Sequence, residues 1–210
     1  MRNRVDPFGD LHDVQNRGLF TGNRGCLVDE NSRLVRHHRG SLWITCQLEY
    51  RDWRSPLDRP GHWTPIFFLD DAVALAAGHR PCGLCRRTDY SSYRTAVGTG
   101  IGDGATRGAV DLNRFLATQR LNPGRGLSRS GDRKVWPSPI ATIPDGTVVL
   151  ADDMTPNLVW ADQLFEFTFG GWINPRARPT RGVTSVLTPP LSVLALGHGF
   201  SPTIHPSATA

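Results

Sequence analysis

Glycine and proline break this chain at intervals too short for long uninterrupted helices. Twenty-two glycines and sixteen prolines fall among 210 residues. An interior glycine costs a helix about 1 kcal/mol and an interior proline about 3 kcal/mol. Coiled coils and most helical bundles are therefore excluded. Wholesale disorder is excluded from the other side, because 39% of residues are hydrophobic and six are tryptophan, enough to build a core. The length suits one domain or two small ones. No apolar run approaches the ~18–20 residues of a membrane span, and Met1-Arg-Asn-Arg-Val-Asp6 lacks the apolar segment of a secretory leader. The expectation is a soluble, cytoplasmic protein with no membrane partner.

Local patterns place the elements. Residues 1–25 are polar and carry turn signals at Asp6-Pro7-Phe8-Gly9 and Gly22-Asn23-Arg24-Gly25. Leu42–Tyr50 reads as a strand with Ile44, Cys46 and Leu48 on one face, and Ile66–Leu69 as a second. Asp70 is placed to cap a short helix over Asp71–Ala77 that Gly78 ends. A further helix is expected from Arg86 to Val97, followed by a flexible connection over Val97–Ala109, which holds five glycines. Asp111 would cap a helix over Leu112–Leu121, and 122–133 reads as an exposed loop. Beyond it, strands are predicted at Val148–Leu150, Leu158–Trp160, Leu164–Phe169 and Val183–Leu187. A last helix follows, with Thr188 as its cap, Pro189 at its first position and Gly197 as its stop. The fold class expected is α+β: a small zinc-centred N-terminal α+β half (1–96), a helix between flexible loops (97–134), and a mostly-β half (135–210) packed against the first.

The zinc expectation comes from four cysteines, Cys26, Cys46, Cys82 and Cys85. Cys82-Gly83-Leu84-Cys85 precedes a helix, whose positive N-terminal end favours deprotonated sulfur. Gly83 lets the backbone curl so that amides point at sulfur. Arg80, Arg86 and Arg87 offset the charge of a thiolate site. A thioredoxin-like redox pair and plain buried thiols are the competing readings, but the former wants a strand directly before the motif. Zn²⁺ held by all four cysteines is favoured, with Cys26 in a turn and Cys46 on a strand. His37, His38, His62 and His79 are substitutes for Cys26 or Cys46, His79 more naturally as a support to a ligand.

The stretch Phe67-Phe68-Leu69-Asp70-Asp71-Ala72-Val73-Ala74-Leu75-Ala76-Ala77-Gly78-His79-Arg80-Pro81-Cys82-Gly83-Leu84-Cys85-Arg86 resembles the second half of the Ada-type zinc-binding module of bacterial methylphosphotriester DNA-repair proteins. In that module a strand ending in Phe leads to A-x-A-L-A-A-G-[FY]-R-P-C-x-x-C. The resemblance implies that Cys82 and Cys85 ligate zinc and that Arg80 lies near a phosphate or a structural carboxylate. It covers about twenty residues. Nineteen residues separate Cys26 from Cys46 here, where the repair family has two close ligands, so the methyl-acceptor activity is not carried over. The helix-turn-helix and active-cysteine motif of the full repair protein are also missing. As a whole the chain looks like an uncharacterised bacterial, actinobacterial-type family with an Ada-like core.

Leu187–His198 repeats the grammar of Leu69–His79, with strand end, cap, short apolar helix and Gly-His. That echo, with Pro202 and Pro206 stiffening the segment, points to a fixed C-terminus and to a partly buried His205. His205 is the candidate general acid–base group if it lines a cleft. Asp152, Asp153, Asp162 and Glu166 are weighed as a metal-dependent nuclease set, against solvated turns. Of the tryptophans, Trp53 and Trp63 are the surface candidates for base stacking; the others suit the core.

Net charge is +5, and of 24 basic residues only Lys134 is lysine. Arginine is the better bidentate phosphate ligand, so the balance leans toward DNA or RNA as partner. The first functional expectation is a zinc-stabilised nucleic-acid-binding protein that contacts phosphates through Arg24, Arg80, Arg86 and Arg87. The second is a zinc-dependent enzyme, either a nucleic-acid hydrolase or a small-molecule transformation at a zinc/thiolate centre. A closed shell of four cysteines favours the first, and three protein ligands set in a cleft favour the second.

Overall fold

The computed structural model describes residues 2–51, 61–103, 105 and 107–208. Two six-stranded sheets and four helices make a mixed α+β fold. The first sheet is built from β1 (Arg4–Val5), β2 (Leu11–His12), β3 (Phe20–Asn23), β4 (Ile44–Cys46), β5 (Ile66–Phe68) and, after helix α1 (Asp71–Ala76), β6 (Arg80–Pro81). Its order is β2-β1-β5-β3-β4-β6. The pairs β1·β5 and β4·β6 are parallel. Helices α2 (Arg87–Ile101) and α3 (Ala109–Arg120) lead to the second sheet. That sheet comprises β7 (Trp136–Pro139), β8 (Val148–Leu150), β9 (Pro156–Trp160), β10 (Gln163–Thr168), β11 (Gly171–Ala177) and β12 (Val183–Val186), followed by α4 (Pro190–Gly197). Every neighbour is antiparallel, in the order β11-β10-β9-β8-β12-β7. Both edge strands carry proline, Pro137 and Pro139 in β7 and Pro175 in β11, where a missing N–H costs the ladder nothing. No helix among the described residues is long and apolar enough to cross a membrane.

One core joins the two halves. Val5, Ile66, Phe68 and Val73 pack in the same cluster as Val148, Leu158, Phe165 and Trp172. All six residues of α1 are buried in it or beside it. Asp70 caps α1 as expected, accepting from Val73 N–H at 3.0 Å. At the other end Gly78 N–H donates to Leu75 O and His79 N–H to Ala74 O, each at 2.9 Å. This reciprocal pair needs a left-handed residue between, and Gly78 has φ +84° with a missing Cβ that would meet Arg120 at 2.8 Å.

Several expected boundaries are corrected. The glycine-rich stretch after Val97 begins as helix: α2 continues to Ile101 and stops at Gly102, φ +79°. A Cβ on Gly100 would lie 2.5 Å from Leu194 Cγ, so this glycine serves close packing of α2 on α4. Helix α3 starts three residues early, with Gly108 at the cap and Asp111 in its first turn. Residues 122–133 are not wholly exposed, since Arg129 and Arg133 are buried and Asp10 accepts from Arg129 N–H at 2.6 Å. The polar N-terminal stretch contributes three strands. The α4 cap is Pro189 rather than Thr188, whose buried hydroxyl instead accepts from Val148 N–H at 2.9 Å.

The expected strand over Leu42–Tyr50 shrinks to three residues, and its faces swap roles. Trp43 and Thr45 point into the core at 1% exposure each. Ile44, Cys46 and Leu48 do share a face, but that face lines a cavity.

Candidate metal centre

Strand register assembles the site. Strand β4 ends at Cys46 and runs parallel to β6, with Thr45 opposite Pro81. Cys82 N–H extends that ladder by donating to Thr45 O at 2.9 Å. The chain then turns into α2, bringing Cys85 back. The sulfur atoms of Cys46, Cys82 and Cys85 all lie within 4.8 Å of one another. Tetrahedral zinc with Zn–S of about 2.3 Å needs sulfurs about 3.8 Å apart, so this triplet fits a thiophilic ion with small side-chain adjustments.

Hydrogen bonding already sorts the three thiols. Leu84 N–H donates to Cys82 Sγ at 3.4 Å. Cys82 is held well below the usual thiol range, first by hydrogen bonds from Cys46 and Cys85, then by the backbone of Cys85 and Leu84. Its neighbour Cys46 is pushed up by the same contacts, with Cys82 the larger cause. The triplet therefore presents one sulfur prepared as thiolate, the state a metal binds. Gly83 has no positive φ. The Tyr90 ring packs closely there, and its carbons would stand 3.2 Å from an added Cβ.

One side of the triplet opens into a cavity of about 240 Å³. Its walls are mainly Ile44, Leu48, Tyr50, Trp63 and Leu84, with Asn23 and Gln47 as polar members. Leu84 is 67% exposed at the rim.

Three of the four predicted ligands are brought together; Cys26 is not. Its thiol is buried and donates to Val28 O at 3.4 Å, and its backbone sits in the turn after β3. Among the described residues no histidine joins the triplet. His62 is exposed. His79 is fully buried between the rings of Phe68 (4.7 Å) and Trp43 (5.1 Å), packed as an aromatic. Burial first, then Arg24 and Arg120, lower its pKa well below the ordinary range. His37 and His38 lie on the same Trp43.

Three of the four arginines predicted to meet phosphate are corrected by burial. Arg24 is fully buried, donating to Gly9 O at 2.7 Å. Arg80 donates to Asn113 Oδ1 and Pro81 O, each at 2.9 Å, and stacks 5.0 Å from Tyr90. Arg86 pairs bidentately with Asp71 at 2.6 and 2.8 Å, reaches Asp89 and Thr45, and lies 3.9 Å over Phe20. It braces the start of α2 against the sheet. Of the four, Arg87 alone is exposed.

His205 is half-buried, and its Nδ1 lies 2.9 Å from Ser207 Oγ. The C-terminal segment is tied down: Thr203 N–H donates to Asp71, and His205 N–H to Asp70, both at 3.0 Å. His205 does not line the cysteine cavity. Asp152, Asp153 and Asp162 are exposed. Glu166 accepts from Asn174 at 3.0 Å, and these four form no metal-binding group. Trp63 lines the cysteine cavity, while Trp53 lies outside the described residues. Sequence reading missed Thr21, Asn23 and Trp63 as neighbours of the cysteines, since β3 was hidden in a polar stretch. Comparison with family models, curated proteins and solved structures found no match to the chain, so the Ada-type resemblance rests on residues 67–86 themselves.

Proposed function

We propose that the protein is a zinc-thiolate enzyme that transforms a small, largely apolar molecule at Cys46, Cys82 and Cys85. The observation that carries this reading is the cavity against the triplet: three sulfurs on one wall and aliphatic and aromatic side chains on the others. Structural zinc sites are closed by four protein ligands, whereas catalytic ones keep a position for water or substrate. The cavity volume, about 240 Å³, falls below the roughly 300–1,000 Å³ of drug-sized sites, which favours a small substrate. Bound zinc would supply Lewis acidity and a nucleophilic water or thiolate. The chain's own part is to hold Cys82 as thiolate and to orient the substrate against Tyr50 and Trp63. The nucleic-acid reading loses support at this site, because Arg24, Arg80 and Arg86 are committed to internal partners.

Cobalt substitution tests the reading. The expected Co²⁺ protein has thiolate charge-transfer bands for three sulfurs, and its d–d bands shift when a small exogenous thiol or azide is added. A spectrum of four sulfurs that ignores added ligands would make the site structural and remove the enzyme reading.

A further inference from the structure

A second concave surface, away from the cysteines, has the opposite chemistry. One depression of about 510 Å³ is lined by His38, Ser41, Arg120, Asn122, Arg129 and Lys134. A second, of about 320 Å³, includes Arg36, His37, Arg125 and again His38 and Arg129. The two share His38, Gly124 and Arg129, and so form one continuous cleft. Five cations line it, and neither half is lined by a carboxylate.

The cleft is built rather than incidental. Arg120 and Arg129 are 3% and 4% exposed. Arg120 is fixed by Gly78 O at 3.1 Å and Ser41 O at 2.9 Å, with its guanidinium 3.7 Å over Trp43. Arg129 donates to Asn122 O at 2.8 Å and pairs with Asp132. Asp10 takes the Arg129 backbone N–H and the Ser128 hydroxyl. These two carboxylates therefore offset one of the five cations and position the loop. Gly124 lets that loop lie on the pair, since a Cβ would stand 2.5 Å from Asp132 Oδ2 and 2.8 Å from Arg129 Nη2.

Behind the floor lie two more buried arginines, Arg24 and Arg133, offset in part by Asp6 and Asp10, and the neutral ring of His79. Arg24 stands 5.2 Å from Trp43. Its Nε and Nη2, the Nε and Nη1 of Arg133, and both ring nitrogens of His79 are buried without hydrogen-bond partners. Burial, then Arg133 and Arg24, pull the Arg120 pKa down to about 9. His38 is lowered to about 4, by burial first and then by Arg24, Arg120 and Arg129. It is neutral at pH 7 and offers a hydrogen bond rather than charge. Buried like charges are costly, and an anion in the cleft relieves that cost for every one of them.

We propose that this cleft binds phosphate groups, with Arg36, Arg125 and Lys134 as the donors and Arg120 and Arg129, held by internal partners, as fixed positive charge at its floor. The proposal stands independently of the cysteine site. Arginine forks match phosphate oxygens bidentately, and two joined depressions accommodate successive phosphates better than a single ion. The phosphates belong either to a small phosphorylated molecule or to a nucleic-acid strand; the shared chemistry is the same.

The test is titration of the full chain with pyrophosphate and with a 12-nucleotide single strand, followed by Trp43 fluorescence or calorimetry. Arg125→Ser and Lys134→Ser, both surface changes, are expected to weaken binding by roughly tenfold together and to lower the log–log salt slope by about 1–2. Arg87→Ser, beside the cysteine site, is expected to leave binding unchanged. Tight pyrophosphate binding assigns the site to a small phosphorylated ligand; binding of the strand with weak pyrophosphate binding assigns it to nucleic acid. No binding of either probe at about 50 mM salt, or binding lost in Arg87→Ser and retained in the cleft variants, would overturn the proposal.

Discussion

Cys82 N–H donates to Thr45 O at 2.9 Å, and this single backbone bond places Cys82 beside Cys46. Thirty-five residues of chain part these two thiols, yet the parallel pairing of β4 and β6 fixes them within the 4.8 Å that also takes in Cys85. Cys26, one of four cysteines in the sequence, is left bonded to Val28 O. The expected outcome is about one zinc per chain, retained by Cys26→Ser and lost from Cys46→Ser, Cys82→Ser or Cys85→Ser. Elemental analysis of the purified variants decides it. Metal loss in Cys26→Ser with a folded circular-dichroism spectrum would restore the four-cysteine site.

Arg86 ties three parts of the N-terminal half together. It makes a two-pronged pair with Asp71 of α1, a bond to Thr45 of β4, and a ring contact with Phe20 of β3. Removing one partner of a buried pair leaves the other charge uncompensated, at about 3–5 kcal/mol. Arg86→Met is expected to lose that much in urea denaturation, and Arg86→Met combined with Asp71→Asn less than the sum of the two. Simple additivity would show that the pair is not the brace inferred here.

The parts of the fold legible in the sequence are those whose signals are local. Asp70, the apolar run 72–77 and Gly78 specify α1 by cap, burial and left-handed stop, and the helix lies within one residue of its expected end. The Cys82–Cys85 pair was equally plain. Strands β1, β2 and β3 were not, because their two to four residues carry no periodicity and exist through pairing with β5 and β4. Gly98 and Gly100 were read as a linker from composition, but packing of Gly100 on α4 and of Gly98 against the Ala105 carbonyl overrides that preference. The arginines misled for a related reason. Burial of Arg24, Arg80, Arg86, Arg120, Arg129 and Arg133 depends on carbonyls, rings and carboxylates supplied from far along the chain.

Gly100 offers a direct check on that packing. On propensity alone, Gly→Ala within a helix stabilises by roughly 0.5–1 kcal/mol. Here the new methyl would meet Leu194 Cγ at 2.5 Å and His198 Nδ1 at 2.9 Å, and overpacking of this kind costs about 1–3 kcal/mol. Gly100→Ala is expected to be destabilising, and Leu194→Ala in the same chain to recover part of the loss. A thermal midpoint that rises in Gly100→Ala would mean that α2 and α4 are not in close contact at this point.

Asp70 gives the fold a pH dependence of unusual sign. It is fully buried, and burial raises its pKa from 3.8 to about 6, against the hydrogen bonds donated by Trp172, His205 and Val73. A carboxyl whose folded pKa lies above its unfolded value holds its proton more strongly in the native state. Its contribution is therefore complete below about pH 4 and is lost as pH rises through 6. Two units of pKa correspond to about 3 kcal/mol. Asp70→Asn keeps a capping oxygen but does not ionise. Groups that do not interact with Asp70 titrate alike in both proteins and cancel in the difference. The stability advantage of the native protein over Asp70→Asn is accordingly expected to fall by about 2–3 kcal/mol between pH 4 and pH 7. Urea denaturation of both proteins across that range measures it. A difference that stays flat, or grows with pH, would mean that the three donated hydrogen bonds outweigh burial and keep Asp70 ionised in the fold.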